Sequence, residues 1–300
     1  FVPDQPFMGL ILIGGLSQLG NYAAEPSTQN VDYWTWSDDI AYTRGKHLLK
    51  TGVLIERAFA DKLTTVNSRG TYTFANMAQF FAGTPTRFQG NTPGAEFSRQ
   101  RPNMLFGFYV QDDYRMTSNL TLNLGMRYEF FTVPKDKNGR DAYIPDILTS
   151  TDTVIGGPFR NPSLENVAPR IGFAWDVTGD GRTAVRGGSG LYYDTDSPYN
   201  SSLGVAIQTP PFVNVVNITG AGIAFPTPVL SAVSAGGGRS IRTLDYNVKQ
   251  PKGWTYNVNL QRELVANWAL TVGYAGSRGY DLVSIIEGNP VVPVVGANGS

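Results

Sequence analysis

Acid–base and nucleophilic chemistry needs particular side chains, and this chain of 300 residues holds few of them. It has no Cys and one His, His47. A thiol nucleophile, a Cys-based zinc site and a His-based serine triad are therefore excluded, and Ser189 and Ser197 have no base to activate them. Two adjacent carboxylate pairs, Asp38-Asp39 and Asp112-Asp113, have the residue types for general acid–base work. Both lie in segments that read as extended, where neighbouring side chains point to opposite faces, so neither pair can share a substrate. "TGDGR" (178–182) lacks the acidic spacing and closing Glu of a calcium loop, and reads as an Asp-Gly turn. "GGSG" (187–190) is not followed by a helix that would complete a phosphate cradle, and reads as a glycine-rich strand. His47, beside a tight turn at Gly45-Lys46, reads as a solvated turn residue. These residues point to no enzyme activity, no cofactor and no metal.

What remains is charge repeated at alternate positions. In "SNLTLNLGMRYEFF" (118–131), Leu120, Leu122, Leu124, Met126, Tyr128 and Phe130 alternate with Thr121, Asn123, Gly125, Arg127 and Glu129. A period of two is the signature of a β-strand with two different faces. The pattern recurs in "MLFGFYVQDDYRM", where Asp113 and Arg115 fall on the polar phase. It recurs again in "RIGFAWDV", with Arg170 and Asp176, and in "TAVRGGSGLYYD", with Arg186. "GWTYNVNLQRE" and "NWALTVGYAGS" alternate in the same way, and "DYWTWSDDIAYTRG" with "HLLKTGVLIER" forms an earlier pair.

These segments run for roughly ten to thirteen residues, against about five or six for strands of soluble proteins. A tilted strand crossing a bilayer needs about 9–11. The links between them alternate between two kinds. The short ones are "GK" near 45, "TS" at 117–118, "TGDG" at 178–181 and "VAN" at 265–267. The long ones run from Phe59 to Asn103, from Thr132 to Val167 and from Thr195 to Lys252. Hairpins with every short turn at one end and every long loop at the other match a membrane barrel, with periplasmic turns and extracellular loops. The long links are rich in Pro, Gly, Asn, Ser and Thr, so most are expected to be irregular. "MAQFFAG" (77–83) is expected to be a short helix.

Composition agrees. Charged residues make up 16% of the chain, against about 25% in ordinary soluble domains. Net charge is zero, which offers nothing to nucleic acid. The most apolar stretch, residues 7–20, is too short and glycine-broken to span as a helix, which needs about 20 apolar residues. No signal peptide is visible before it, and the chain reads as part of something longer. The fold expected is all-β: an antiparallel up-and-down transmembrane β-barrel, partial, with about eight or nine strands of a larger barrel and long extracellular loops.

In such a barrel the apolar face meets lipid and the polar face lines the lumen. Asp113, Arg115, Arg127, Glu129, Arg170, Asp176 and Arg186 are then the lumen-facing candidates, able to pair across neighbouring strands or to guide a solute or a plug. Gly107, Gly125, Gly172, Gly188 and Gly273 share their phase. Tyr114, Tyr128, Phe130, Trp175, Trp254, Trp268 and Tyr274 fall outward, as aromatic girdles do. Asp38 and Asp112 also fall outward, either because a bulge resets the phase or because they lie below the apolar band.

"FGFYVQDDYRMTSNLTLNLGMRYEF", "NVAPRIGFAWDVTGDGRTAVRGGSGLYYD" and "GWTYNVNLQRELVANWALTVGYAGSRG" resemble the barrel of TonB-dependent outer-membrane receptors, in particular the Oar-like group. The resemblance covers about residues 31 to 283. It implies a 22-stranded wall around a plug, with residues 1–300 forming part of that one barrel domain. It also implies contact with TonB through parts of the protein absent here, outer-membrane lipid around the wall, and import of an unknown bulky ligand. Two other readings stay open. One is a soluble or surface-anchored β protein for adhesion or carbohydrate binding, with the apolar face packed inward. The other is a simple porin.

Overall fold

In the computed structural model of the chain, residues 8–195, 207–227 and 238–286 are described; Ser197 lies outside them. The strands are β1 (Leu10–Ile13), β2 (Ser27–Arg44), β3 (His47–Thr64), β4 (Thr71–Phe74), β5 (Arg87–Asn91), β6 (Ser98–Arg115), β7 (Leu120–Phe131), β8 (Ala142–Tyr143), β9 (Val154–Ile155), β10 (Val167–Asp176), β11 (Thr183–Tyr193), β12 (Val215–Thr219), β13 (Gly238–Ser240), β14 (Lys252–Val265) and β15 (Trp268–Tyr280). The helix α1 (Met77–Phe81) is capped by the Asn76 side chain, which accepts from the Gln79 N–H.

Eight strands form one antiparallel sheet in the order β15-β14-β11-β10-β7-β6-β3-β2. Each neighbour is the next long alternating segment in sequence, the up-and-down order that short hairpin turns dictate. Gly45 at the β2–β3 turn and Asn267 at the β14–β15 turn adopt positive φ (57° and 67°), the conformation that tight turns demand and that Gly and Asn tolerate. A row of paired residues runs through His47, Tyr114, Leu122, Phe173, Gly187, Val258 and Tyr274. It starts at the first residue of β3 and ends midway along β15, so the short turns are staggered steadily in one direction. That stagger is the shear a tilted barrel wall requires.

The pairing keeps the register unbroken along the sheet except between Glu263 and Val265, near the β14–β15 turn. Among the described residues nothing is packed over the middle of the apolar face: Leu124 is 43% exposed, and Ile171 and Val272 are each 58% exposed. Leu122, Leu124 and Phe173 belong to no buried cluster of the described residues. Burial of the apolar face in a protein interior, which the soluble reading requires, is not what the fold contains.

Two expectations are corrected. Strands β2, β3 and β6 reach 18 residues each, well beyond the crossing length, and the surplus of all three lies on the long-loop side. The long links are also less irregular than their composition suggests. β1, β4, β5, β12 and β13 form a second, five-stranded sheet, in which β1 pairs with β4 in parallel. Its core is Ile11, Ile13, Tyr72, Phe74 and Phe88, with Phe80, Ile218 and Phe225 packed against it. Tyr72 and Phe74 each meet Phe225 edge-on, with ring centroids 5.0 Å and 5.3 Å away, a favoured aromatic geometry. The Tyr72 hydroxyl donates to the Ala224 carbonyl at 2.7 Å. Burying such rings contributes about 1.5–3 kcal/mol each, enough to order loops that turn residues alone would leave open. This cap is tied to the wall by short links, residues 65–70 between β3 and β4 and residues 92–97 between β5 and β6.

Candidate functional site

On the polar face of the sheet, side chains of neighbouring strands are hydrogen-bonded to one another. On β2, β3 and β6, register sets Asp39 beside Gly52 and Gly52 beside Tyr109. Gly52 has no side chain, so the Tyr109 hydroxyl reaches over it and donates to Asp39 Oδ1 at 2.7 Å. One row nearer the short turns, Lys50 Nζ donates to Asp113 Oδ2 at 2.9 Å. Gln111 Nε2 and Asn123 Nδ2 both donate to Asp113 Oδ1, at 2.9 Å and 2.7 Å. This carboxylate thus ties three strands together. Arg127 Nη2 donates to Glu129 Oε1 on the same strand; residues two apart on a strand share a face.

Beyond Arg127 the floor is bare backbone. Gly125, Gly172, Gly188 and Gly190 lie on adjacent strands, and the depression above them holds about 470 Å³. Lys50, Tyr109, Asn123, Arg127, Arg170, Tyr192 and Asn257 are among its lining residues. The Arg170 guanidinium lies 4.5 Å from the Tyr192 ring centroid, a cation–π contact that leaves its N–H donors for other acceptors.

Of the seven sequence candidates, Arg127 and Arg170 line this depression, while Asp113 and Glu129 are hydrogen-bonded to its lining residues Lys50, Asn123 and Arg127. Arg186 stands exposed in the row between Ala174 and Asn259. Arg115 is exposed at the last position of β6. Asp176 shares the phase but its carboxylate is engaged elsewhere, accepting from the N–H groups of Gly179 (3.0 Å) and Gly181 (2.8 Å) and shaping the turn. The cross-strand ion pair the alternation suggests is made by Lys50 with Asp113; Lys50 was legible as the polar-phase residue of the β3 segment.

A second cluster escaped sequence reading because its partners come from distant loops. At the loop end of the polar face, Arg99 and Arg101 on β6 are 1% and 3% exposed. Arg101 Nη2 donates to Asp141 Oδ1, and Arg99 Nε lies 3.7 Å from the same oxygen. Arg99 Nη1 donates to the Glu96 carbonyl, and its guanidinium sits 5.6 Å from the Phe212 ring centroid. Asp136 accepts from the Gln100 N–H (2.8 Å) and from Arg140 Nε (3.0 Å). This cluster lies on the surplus length of β6, outside the spanning segment. Burial, with Arg101 adding like charge, lowers the Arg99 guanidinium to about 10. Burial works to raise the Asp136 carboxyl, but hydrogen bonds from Arg140 and Gln100 outweigh it and bring it down to about 2. The cluster fastens the 132–141 loop across the polar face.

The outward acids are also placed. No register shift interrupts β2 or β6, so a bulge is not the reason for their phase. Asp112 lies near the β2–β3 turn and meets His47 Nδ1 at 2.7 Å, while the His47 ring stacks on Tyr114 at 4.5 Å. His47 is half-exposed beside the turn, as expected, and is also partnered on the outer face. Asp38 faces outward between Trp36 and Ile40, its Oδ1 accepting from the Asp39 N–H. Among the described residues no cluster of His, Asp and Glu has the arrangement of a metal site.

The family match agrees with this architecture. Residues 3–300 match the family model described as "Outer membrane beta barrel domain". Among curated proteins, none matches the chain. Among solved structures, the outer membrane transporter YddB from Escherichia coli is similar, with 14% identity, covering 83% of this chain and 26% of that one, at a TM-score of 0.48. The chain thus spans about a quarter of the length of that structure. With an antiparallel wall, an exposed apolar face and a family match over nearly its whole length, the chain belongs to the outer membrane beta barrel domain family, and its place is the outer membrane of a Gram-negative bacterium.

Proposed function

We propose that this chain is wall and loop structure of a TonB-dependent receptor that imports a bulky solute. The observation that carries the reading is the polar face itself. It holds a glycine-floored depression flanked by Arg127 and Arg170, and its outer end is fastened over by a loop held on buried arginines. A loop fastened at the outer end of that face suits an importer that captures its cargo outside before a plug yields. The "FGFYVQDDYRM" and "NVAPRIGFAWDV" motifs support the same family.

The lumen candidates act by binding and guidance, not by catalysis. Two measurements on the full-length protein test the proposal. In planar lipid bilayers a plugged receptor holds no steady conductance, whereas a porin opens stepwise. The periplasmic domain of TonB binds a receptor in solution, and more tightly once cargo is loaded. Steady conductance together with no TonB binding would replace this reading with the porin.

A further inference from the structure

We propose that the outer rim of the β2–β3 hairpin is a binding site for the phosphate of an anionic phospholipid in the periplasmic leaflet. The proposal depends on the lipid-facing assignment of the apolar face, and is independent of any transport role. Tyr42, Arg44, His47, Leu49 and Tyr114 share the outward phase, since register pairs Tyr42 with Leu49, Arg44 with His47 and His47 with Tyr114. Together with Gly45 and Lys46 they line a depression of about 480 Å³.

Its charge is uneven. Arg44 makes no ion pair with any described residue. Lys46 Nζ donates to the Met116 carbonyl at 3.2 Å, which leaves two of its three donors. The carboxylate on this rim, Asp112, lies 2.7 Å from His47 Nδ1 and makes no ion pair with Arg44 or Lys46. The adjoining β6–β7 turn, residues 116–119, carries no charge.

Position selects the partner. The short turns mark the periplasmic side of a barrel, and this rim lies where the apolar band gives way to water. Lipid phosphates occupy that level. Arg and Lys suit a phosphate diester, Arg through two parallel N–H donors. Tyr42, Leu49 and Tyr114 offer an apolar and aromatic shelf towards the band, against which glycerol and the first acyl carbons can rest. A free inorganic anion would have no use for that shelf.

The test uses full-length protein in detergent, titrated separately with phosphatidylglycerol and phosphatidylcholine, with bound lipid read by native mass spectrometry. Wild type retains phosphatidylglycerol preferentially. Arg44→Gln with Lys46→Gln weakens that retention roughly five-fold per cation removed. Arg44→Lys with Lys46→Arg restores most of it. Inorganic phosphate at equal concentration does not compete. The proposal is overturned if wild type retains both lipids equally, if the Gln pair leaves retention unchanged, or if inorganic phosphate displaces the lipid. It is also overturned if a distant pair, Arg182→Gln with Arg262→Gln, costs as much. Should the Gln pair fail to fold, wild type decides alone: its preference fades at high salt, and a preference indifferent to salt sinks the idea.

Discussion

At the scale of single residues, the polar face is held by contacts that tolerate little change. A Cβ added at Gly52 would lie 2.0 Å from Asp39 Oδ1, 2.6 Å from the Tyr109 ring and 2.9 Å from the Asp38 carbonyl. The last is backbone and cannot swing aside. Gly52→Val is therefore expected to break the Tyr109–Asp39 bond and cost about 1–3 kcal/mol by overpacking, seen as a lower temperature for losing the compact band in semi-native gel electrophoresis. The loop clasp makes a different prediction. Asp141→Asn leaves Arg99 and Arg101 without their shared carboxylate, a loss of about 3–5 kcal/mol for a buried pair with one partner removed. The 132–141 loop should then be cut by external protease on whole cells while the wall stays folded. Acid acts in the same direction. The folded Asp136 carboxyl sits near 2, below the usual value near 3.9. Its contribution is therefore full above about pH 4 and is lost as pH falls through 4 towards 2. Protease resistance that persists at pH 5 and collapses only below pH 4 is the expected profile. The polar phase of Lys50, Asp113 and Arg127 could be read from alternation alone. Which of them pair could not, because pairing depends on the register between strands, and alternation within one strand carries no register.

At the scale of elements, each hairpin presents two surfaces meant for different solvents, and a pair of adjacent residues separates them. Leu124 faces outward and Asn123 inward, one position apart in the middle of β7. Leu124→Arg puts a charge into hydrocarbon at an expected cost of about 2–4 kcal/mol near the bilayer centre. Asn123→Arg adds the same group to the wet face and should cost far less. Reversible unfolding of the full-length protein in lipid measures both, and an inverted order of the two costs would reverse the assignment of faces. Strand identity was legible here because the period of two is written over ten or more residues. The cap was not, for a physical reason. Its strands are as short as three to five residues, too brief for a period to show. They are ordered by Tyr72, Phe74 and Phe88 from the β3–β6 link meeting Phe225 from the β11–β14 link. The helix at 77–81 was legible because its Asn76 cap and its apolar pair, Phe80 and Phe81, are local.

At the scale of the whole molecule, the eight-stranded sheet ends in two edges, β2 and β15. Among the described residues each edge strand has one side of its backbone unpaired, which hydrocarbon does not permit. Long exposed edges are also templates for aggregation in water. The steady stagger of the turns means this sheet already has the tilt of a closing wall, so further strands joining β2 and β15 would complete the ladder without bending it. The consequence can be measured by amide hydrogen exchange. In the full-length protein in detergent, β2 and β15 should be protected as strongly as the central β7 and β10, because every amide in a closed wall is bonded. In a chain limited to residues 1–300, the same two strands should exchange first while β7 and β10 stay slow, and the chain should need detergent to remain dispersed. Edges that exchange fast in the full-length protein too would mean the wall is open there and that lipid is not what surrounds it. Equal protection restored only in the longer chain would show that closure, and not the packing of a soluble core, completes this fold.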